Sequence, residues 1–318
     1  MAAMSENLNS PRLPGLLHTE GRSARLRQRI SGKAGSLLMV PGCFDCLTAR
    51  LVETAGFEAA YVTGAGVSIS ALGAPDLGLA SFFEVLDRVK RICDVLTIPV
   101  IADGDTGFGG PLNIIRTVRE YERAGVSAIQ IEDQEAPKRC GHELGRKLVT
   151  VAEMQGRVRA ASDARSDENF LIIARTDART RHGLPEAVDR AGAYREAGAD
   201  VLFIESPETA EELADVRAAF PDSPLMANMV EGGRTPLLPA DMLSELGYAI
   251  AIYPNSLTRL IGKAGLALMR ELRSTGTTAG SLNTLLSHDE LWTLFNRDEW
   301  LAVEARYGRN SPTAKTEE

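Results

Sequence analysis

Short apolar runs alternate along the chain with longer amphipathic segments, starting near residue 37. Each apolar run has the length and composition of a buried strand, and each is followed by turn residues and then by helical spacing of apolar positions. The eight runs are Leu37–Val40, Ala60–Thr63, Val100–Asp103, Ala128–Glu132, Leu171–Arg175, Val201–Glu205, Leu225–Asn228 and Ala249–Tyr253. Eight alternating strand and helix units predict an α/β fold, the closed parallel (β/α)8 TIM barrel. An open doubly wound sheet is the alternative.

The amphipathic segments between the runs predict the outer helices of this barrel. Examples are Phe82–Leu96, Leu112–Ala124, Val151–Ala164 and Pro185–Ala197, and several close on an Ala-Gly pair that suits a helix C-terminus. Further helical sequence follows the eighth strand, at Leu257–Ser274 and from Ser287 to Tyr307. A barrel needs only one helix after its last strand. The surplus, with Trp292 and Trp300, is therefore expected to cap the barrel or to pack on another subunit.

The length of 318 residues is compatible with one large domain. We expect residues 1–25 to form a flexible N-terminal segment and residues 26–308 to form a single barrel domain with its C-terminal helices. The polar tail, residues 309–318, is expected to be disordered.

Charged side chains stand at the carboxyl ends of several predicted strands. Asp103 and Asp105 follow the third strand, Glu132 ends the fourth and Glu205 the sixth. An Asp-Gly turn closing a hairpin would explain the first pair alone, but it does not explain acids on three strands. Because strand ends of a barrel converge at one mouth, the acids are expected to form a cluster. Carboxylate oxygens favour Mg2+, or Mn2+, so we take Asp103, Asp105 and Glu132 as candidate metal ligands.

Polar groups on the remaining strands are candidates for substrate binding. Arg175 ends the fifth strand, and its guanidinium suits bidentate pairing with a carboxylate, although an internal salt bridge to Asp177 is the alternative. Neutral donors for a second carboxylate are Asn228 and the turn after the seventh strand, although a plain turn there is an equal alternative. The candidates at this turn and after the second strand are Thr63, Gly64, Ala65, Gly232 and Thr235.

A basic loop, Ala136–Lys147, follows the fourth strand and contains Cys140 and His142. Positive neighbours lower the pKa of a thiol, so Cys140 is expected to be the reactive one of the four cysteines. A basic loop containing glycine beside a metal site also suits a lid that closes on an anionic substrate. A solvated surface loop with an incidental cysteine is the alternative.

The overall charge excludes some classes of partner. A net charge of -8 offers no basic face for nucleic acid. No apolar run reaches membrane-spanning length, and the first twenty residues lack the apolar segment of a signal peptide, so a cytoplasmic location is expected. Four cysteines fit a reducing compartment, and the lone pair Cys43 and Cys46 makes a weak case for zinc.

Seven motifs, in order along the chain, resemble the isocitrate lyase and phosphoenolpyruvate mutase superfamily over about Leu37 to Tyr307. They begin at Tyr61, Pro75, Ala102, Gln130, Lys138, Ala174 and Asn228, and include Ala102-Asp-Gly-Asp-Thr-Gly-Phe-Gly, Lys138-Arg-Cys-Gly-His and Ala174-Arg-Thr-Asp-Ala. Within it, the chain is most similar to lyases of the 2,3-dimethylmalate and 2-methylisocitrate kind. It departs from typical methylisocitrate lyases at Glu143-Leu-Gly and at Glu231-Gly-Gly, which leaves the substrate open.

The resemblance implies a homotetramer with the last helix swapped between subunits. It implies Mg2+ held directly by Asp103, with Asp76, Asp105 and Glu132 mostly acting through water. It also implies that Arg175 and Asn228 bind substrate oxygens and that Cys140 is the acid. The base is not settled by the sequence; Tyr61, assisted by Glu205, is the candidate, and His142 completes the catalytic set.

These residues predict a Mg2+-dependent carbon–carbon lyase. Its substrate would be a small 2-hydroxy or 2-oxo dicarboxylate, cleaved by a retro-aldol reaction to pyruvate or glyoxylate plus a saturated acid. The alternatives within the superfamily are an oxaloacetate hydrolase or decarboxylase and a phosphonate mutase. A non-catalytic barrel scaffold is the alternative of a different class, and it would not need the ring of acids.

Overall fold

The computed structural model describes residues 21–31, 37–139, 141 and 145–307. It contains eight strands in one closed parallel barrel, in the order β1 to β8, so the predicted barrel is confirmed and the open sheet is wrong. Pairing of Leu38–Pro41 on β1 with Ile250–Tyr253 on β8 closes the barrel. The strands are β1 Leu38–Cys43, β2 Ala60–Val62, β3 Val100–Asp103, β4 Ala128–Glu132, β5 Leu171–Thr176, β6 Val201–Ile204, β7 Leu225–Asn228 and β8 Ile250–Tyr253.

Helices surround the strands and continue beyond them. They are α1 Arg22–Ile30, α2 Cys46–Thr54, α3 Gly64–Leu72, α4 Phe82–Val95, α5 Pro111–Arg123, α6 Val151–Ala164, α7 Arg179–Glu196, α8 Ala210–Ala219, α9 Ala240–Glu245, α10 Ser256–Thr275, α11 His288–Leu294 and α12 Arg297–Tyr307. A 3-10 helix, Ala279–Thr284, lies between α10 and α11. No helix in the described part of the chain is long and apolar enough to cross a membrane.

The second strand ends one residue earlier than predicted because the next helix begins there. Thr63, expected in the second strand, is the N-cap of α3, and its side chain accepts a hydrogen bond from the amide of Gly66. Asp45 caps α2 in the same way, with its carboxylate 2.8 Å from the amide nitrogen of Thr48. Such caps satisfy amide groups that lack a partner within the helix. The turns from strand to helix are therefore short and place their side chains close to the strand ends.

The barrel interior is filled by alternate residues of the strands. On β5, for example, Leu171 and Ile173 face inward and pack with Ile101, Phe203 and other buried apolar residues of the remaining strands. Side chains alternate along a strand, so Arg175 lies on the same inward face, one layer above Ile173. The apolar layers thus end below a layer of charged side chains.

Helix α1 closes the N-terminal end of this interior. Leu26 and Ile30 pack in the same cluster as Leu38 and Leu171, and Leu26 is 1% exposed. Arg22 is also buried and donates hydrogen bonds to the carbonyl oxygens of Cys93 and Leu96. The helix thus begins inside the segment 1–25 that we expected to be flexible, because both its apolar face and Arg22 find buried partners.

The described chain forms two compact units, divided within α10. The first comprises the barrel up to Leu266, and the second includes residues 267–307. In the second unit, Glu271 accepts hydrogen bonds from the amide of Gly280 and from the hydroxyl of Ser281, which ties the 3-10 helix to the end of α10. Its exposed large apolar residues are Met269, Leu272, Leu282, Leu285, Leu286, Leu291, Trp292, Trp300 and Leu301. Helix swapping stays a prediction.

Substituting Leu26→Ala should lower the free energy of unfolding by about 2–5 kcal/mol, because it leaves a cavity in the interior of the barrel. Chemical denaturation followed by circular dichroism measures the change. Leu112→Ala is the matched control, since Leu112 is 81% exposed and its truncation removes no core contact. Equal effects of the two substitutions would contradict the role of α1 as part of the core.

Candidate active site

A polar cavity opens at the carboxyl ends of the barrel strands. Most of its lining residues lie at, or just beyond, the last inward-facing position of a strand. They are Tyr61, Thr63, Ala65, Asp76, Asp103, Glu132, Lys138, Arg139, Gly141, Arg175, Glu205, Asn228, Val230, Ile252, Pro254 and Asn255. The period-two alternation that fills the barrel with apolar side chains therefore also brings these groups together.

The cavity contains most of the residues singled out in the sequence. Of the candidates, Tyr61, Thr63, Ala65, Asp76, Asp103, Glu132, Arg175, Glu205 and Asn228 line it. Gly64 and Asp105 line an adjoining cavity that shares Asp76 and Asp103 with the first. Gly232 and Thr235 lie in the loop after β7 and are not among the lining residues. Cys140 and His142 lie outside the described residues.

The carboxylates of Asp76 and Asp105 are bridged by Lys138. Its ammonium nitrogen lies 2.6 Å from Asp76 Oδ1 and 2.7 Å from Asp105 Oδ1, and its side chain is 6% exposed. The sequence indicates only that Lys138 adds to the positive charge of the basic loop. Its contact with the acids depends on how the loop after β4 folds over the loop after α3, which no local pattern in the sequence shows.

Asp103 lies at the centre of the acids and is held by backbone and side-chain donors. Its Oδ1 accepts hydrogen bonds from the amide of Asp105 at 3.0 Å and from Gln130 Nε2 at 3.3 Å. Its Oδ2 accepts from the amide of Gly64 at 3.3 Å, and a Cβ at residue 64 would lie only 2.8 Å from that oxygen. Gly64 thus permits the backbone to approach. Burial, and then the charge of Asp105, raise the pKa of Asp103 to about 6, although Lys138 and Arg175 oppose the shift.

Glu132 has a buried oxygen without a hydrogen-bond partner in the described chain. Its Oε1 is that atom, and its Oε2 lies 3.5 Å from Arg175 Nε. Burial raises the pKa of Glu132 well above its ordinary value, with Arg175 opposing. A buried acceptor without a partner is costly unless a cation, a proton or a water molecule binds it.

These acids fit the binding mode of a hydrated Mg2+ ion. Among the described residues, no three Asp, Glu, His or Cys side chains form a direct ligand set. Mg2+ usually keeps several of its waters and takes one or two carboxylates directly. Asp103, with Glu132 Oε1 nearby in the same cavity, offers oxygen donors of this kind.

Arg175 is the buried cation on the other side of the cavity. Its Nη2 lies 3.4 Å from Glu205 Oε2, which also accepts a hydrogen bond from Asn228 Nδ2 at 3.1 Å. Burial alone would lower the pKa of Arg175, but Asp177, Glu132 and Glu205 outweigh it and raise that pKa. The guanidinium therefore stays charged and is available to pair with an anionic ligand.

Tyr61 carries a proton that is engaged in a hydrogen bond. Its hydroxyl donates to Gln130 Oε1 at 3.0 Å, and Gln130 donates in turn to Asp103. Burial, and then the charge of Asp103, raise the pKa of Tyr61 well above its ordinary value. This arrangement disfavours the phenolate that a base role for Tyr61 would need. The sequence marks Gln130 only as the start of a motif and indicates no role for its side chain, although it lies on the inward face of β4 between Ala128 and Glu132.

Gly141 brings the loop after β4 directly onto the cavity. A Cβ at this position would collide with Arg175 Nη2 and would lie 3.1 Å from two carbons of the Glu205 side chain. A larger residue here would require the guanidinium of Arg175 to move. The loop and the substrate-binding candidates are thus in direct contact.

Comparison with known proteins gives the family. Residues 29–273 match the phosphoenolpyruvate phosphomutase family. The chain belongs to this family. It is 46% identical to 2,3-dimethylmalate lyase of Eubacterium barkeri over 90% of this chain and 98% of the relative. It is 38% identical to the petal death protein of Dianthus caryophyllus, covering 92% of each chain. It is 42% identical to probable 2-methylisocitrate lyase 1 of Corynebacterium glutamicum, over 84% of this chain and 87% of that one.

Solved structures agree with this membership. A crystal structure of 2,3-dimethylmalate lyase superimposes with a TM-score of 0.86 at 36% identity, over 93% of this chain and 99% of that one. The structure of oxaloacetate acetylhydrolase in complex with 3,3-difluorooxalacetate superimposes with a TM-score of 0.86 at 33% identity, over 91% of this chain and 98% of that one. The structure of phosphonopyruvate hydrolase in complex with oxalate and Mg2+ superimposes with a TM-score of 0.81 at 32% identity, over 91% of this chain and 99% of that one. Together with the lyases named above, they support the predicted superfamily and the carbon–carbon lyase class.

Binding of Mg2+ or Mn2+ to the protein without substrate should depend on pH. Because Asp103 has a pKa of about 6 and must lose its proton to bind a cation, we expect the affinity to be constant above pH 7. It should fall by about tenfold per pH unit below pH 6, as one proton competes with the metal. Isothermal titration calorimetry at pH 5, 6, 7 and 8 measures this. Asp103→Asn should abolish binding, and a constant affinity from pH 5 to 7 would contradict the role of Asp103.

Proposed function

We propose that this carbon–carbon lyase cleaves a 2-hydroxydicarboxylate of the 2-methylisocitrate or 2,3-dimethylmalate type. The observation that carries the proposal is the pairing, in one cavity, of a buried guanidinium with acids of the kind that bind Mg2+. Arg175 Nε lies 3.5 Å from Glu132 Oε2, and both line the cavity with Asp103. A ligand with one carboxylate at the cation and a hydroxyl-bearing carboxylate at the acids fits this pairing. The relatives named dimethylmalate lyase and methylisocitrate lyase support the substrate class.

Arg175 and Asn228 are the groups we assign to the substrate carboxylate. Arg175 is held between acids but keeps guanidinium N–H groups for a ligand, since the group has five of them. Asn228 is 8% exposed, and its Nδ2, which donates one hydrogen bond to Glu205 Oε2, has a second N–H that can donate to a substrate oxygen. Thr63 and Ala65 line the same cavity after β2. These groups bind and orient the substrate so that its hydroxyl carbon faces the acids.

We assign the Mg2+ site to Asp103 as the direct ligand, with Asp76, Asp105 and Glu132 acting through water. When bound there, Mg2+ supplies a Lewis acid that stabilises negative charge on substrate oxygens. Lys138 forms ion pairs with the carboxylates of Asp76 and Asp105 and neutralises part of their charge.

The cleavage needs a base for the hydroxyl proton and an acid for the departing carbon. We assign the base to Glu205, because it lines the cavity and its carboxyl oxygens accept hydrogen bonds from Asn228 and Ser206. Loss of the proton makes the hydroxyl carbon a carbonyl, and the bond to the neighbouring carbon breaks. The electron pair of that bond leaves on the other fragment as an enediolate. Cys140 is the acid that we propose for its protonation at carbon, giving the saturated acid.

A panel of hydroxydiacids and oxoacids tests the proposal. With Mg2+ present, we expect the release of pyruvate from 2,3-dimethylmalate or 2-methylisocitrate, or of glyoxylate from isocitrate. A coupled assay that reduces the 2-oxo product measures its release. Faster hydrolysis of oxaloacetate to oxalate and acetate would contradict the proposed substrate and indicate a hydrolase of the superfamily. Faster interconversion of phosphoenolpyruvate and phosphonopyruvate would likewise indicate a mutase.

Substituting Cys140→Ser should reduce turnover by on the order of a hundredfold or more, because a hydroxyl is a much weaker acid than a thiol. The Michaelis constant should change little. Cys46→Ser is the matched control: Cys46 is half-buried at the start of α2, does not line the cavity, and donates to the carbonyl of Arg91. Full activity of Cys140→Ser would show that another group is the acid.

We also propose that the protein is a homotetramer in which the C-terminal helices pack on a neighbouring subunit. The exposed Trp292 and Trp300 support this, because large apolar side chains in one short unit rarely stay in contact with water. Analytical ultracentrifugation at micromolar concentration should give the mass of four chains, each of 34.2 kDa. Truncation after residue 286 should weaken assembly. A wild-type protein that sediments as a monomer would contradict the proposal.

A further inference from the structure

We propose that Asp177 is a positioning residue, which fixes the guanidinium of Arg175 and connects it to the loop after β4. Asp177 lies one residue beyond the end of β5, and its side chain is fully buried. Its Oδ2 accepts a hydrogen bond from Arg175 Nε at 3.1 Å, and its Oδ1 accepts from Arg175 Nη2 at 2.9 Å. Two parallel hydrogen bonds of this kind fix the plane of a guanidinium as well as its position.

The other acids near Arg175 do not fix it in this way. Glu132 and Glu205 lie 3.5 Å and 3.4 Å from its nitrogens, which are ion-pair distances, whereas both hydrogen bonds of the guanidinium to described side chains go to Asp177. Glu132 and Glu205 therefore stabilise the charge of Arg175. Asp177 sets the direction in which the remaining N–H groups point into the cavity.

The same carboxylate holds a second arginine. Arg146 Nη1 pairs with Asp177 Oδ1, and Arg146 Nη2 donates to Thr180 Oγ1 at 2.7 Å. Burial alone would raise the pKa of Asp177, but Arg175 and Arg146 outweigh it and lower that pKa. One buried negative charge thus lies between two buried positive charges, so its loss would leave Arg146 without this acidic partner and Arg175 with only its longer ion pairs to Glu132 and Glu205.

Gln134 extends the connection to the other arm of the loop. Its Nε2 donates to Asp177 Oδ2 at 3.3 Å and to the carbonyl oxygen of Arg139 at 3.0 Å. Its Oε1 accepts from the amide of Arg139 at 2.9 Å. Arg139 and Arg146 flank the segment that contains Gly141, whose backbone lies against Arg175. Asp177 therefore connects the substrate-binding cation to both arms of this segment.

The inference rests on the proposed function, in which Arg175 binds a substrate carboxylate. We expect Asp177→Asn to raise the Michaelis constant for the hydroxydiacid, and the dissociation constant for oxalate in the presence of Mg2+, by about tenfold or more. The turnover number should fall less, because the change acts mainly on binding. Steady-state kinetics and calorimetric titration with oxalate give these values, and the melting temperature reports the fold.

A charge-balance test separates positioning from a purely structural role. In Asp177→Asn, Arg175 and Arg146 repel each other across a neutral amide. Adding Arg146→Gln removes one of the two charges, so the double variant should bind oxalate more tightly than Asp177→Asn alone. Double-mutant analysis of the four dissociation constants measures this coupling. Strictly additive losses would overturn the proposed charge balance.

Asp200→Asn is the matched control, because Asp200 also lies between two arginines but far from the cavity. Its Oδ1 accepts from Arg27 at 2.8 Å, and its Oδ2 accepts from Arg165 at 2.6 Å, just before β6 at the opposite end of the barrel. We expect a lower melting temperature with a Michaelis constant and oxalate affinity within about twofold of wild type. The same rise in both constants for Asp200→Asn would show that general loss of stability is their cause.

The outcomes are distinguishable from failure of the proposed function. If Asp177→Asn melts lower but keeps its Michaelis constant and oxalate affinity, Asp177 is structural and the inference is wrong. If Asp177→Asn does not fold, Asp177→Glu decides, since it keeps the charge and displaces the guanidinium; unchanged oxalate binding overturns the inference. A wild type that binds oxalate but cleaves no hydroxydiacid refutes the proposed substrate alone. A wild-type protein that neither binds oxalate nor cleaves a hydroxydiacid refutes both the proposed function and the role of Asp177.

Discussion

Burial of like charges at one end of the barrel is the constraint on which the rest of the site depends. Six carboxyl groups meet there, on Asp76, Asp103, Asp105, Glu132, Asp177 and Glu205, and most are shielded from water. Carboxylates in such surroundings need cations or protons close by. Lys138, Arg175 and Arg146 supply charge at the edges of the cluster. Burial raises the pKa of Asp103 and of Glu132, and Glu132 Oε1 has no hydrogen-bond partner in the described chain, so the proposed metal site lies at the centre of the cluster.

Barrel geometry explains how so many polar groups come together without disrupting the core. Along β5, Leu171 and Ile173 fill the interior, and Arg175 continues the same face at the mouth. Each neighbouring strand contributes in the same way, so the apolar layers below are complete before the charged layer begins. Helix α1 closes the opposite end with Leu26 and Ile30. The apolar layers that stabilise the fold and the charged layer that forms the candidate site thus lie at different levels along the barrel axis.

The loop after β4 belongs to the site through backbone contacts and buried ion pairs. Gly141 lies against Arg175, Lys138 bridges two acids, and Arg146 shares Asp177 with Arg175. A change in the position of this loop would therefore alter the charge around both the acids and Arg175, the cation that we propose binds the substrate. The proposed substrate and metal sites are coupled for this reason.

The sequence by itself determined the barrel and the acid ring. Eight apolar runs with helical segments between them specify the strands, and period-two alternation places Asp103, Glu132 and Arg175 on inward faces, because both signals are local. Only the tertiary structure decided which charges pair. The contacts of Lys138 with Asp76, and of Asp177 with Arg146, join separate loops over the barrel mouth. Such contacts depend on how loops pack in space, and a hydrophobic pattern carries no information about that.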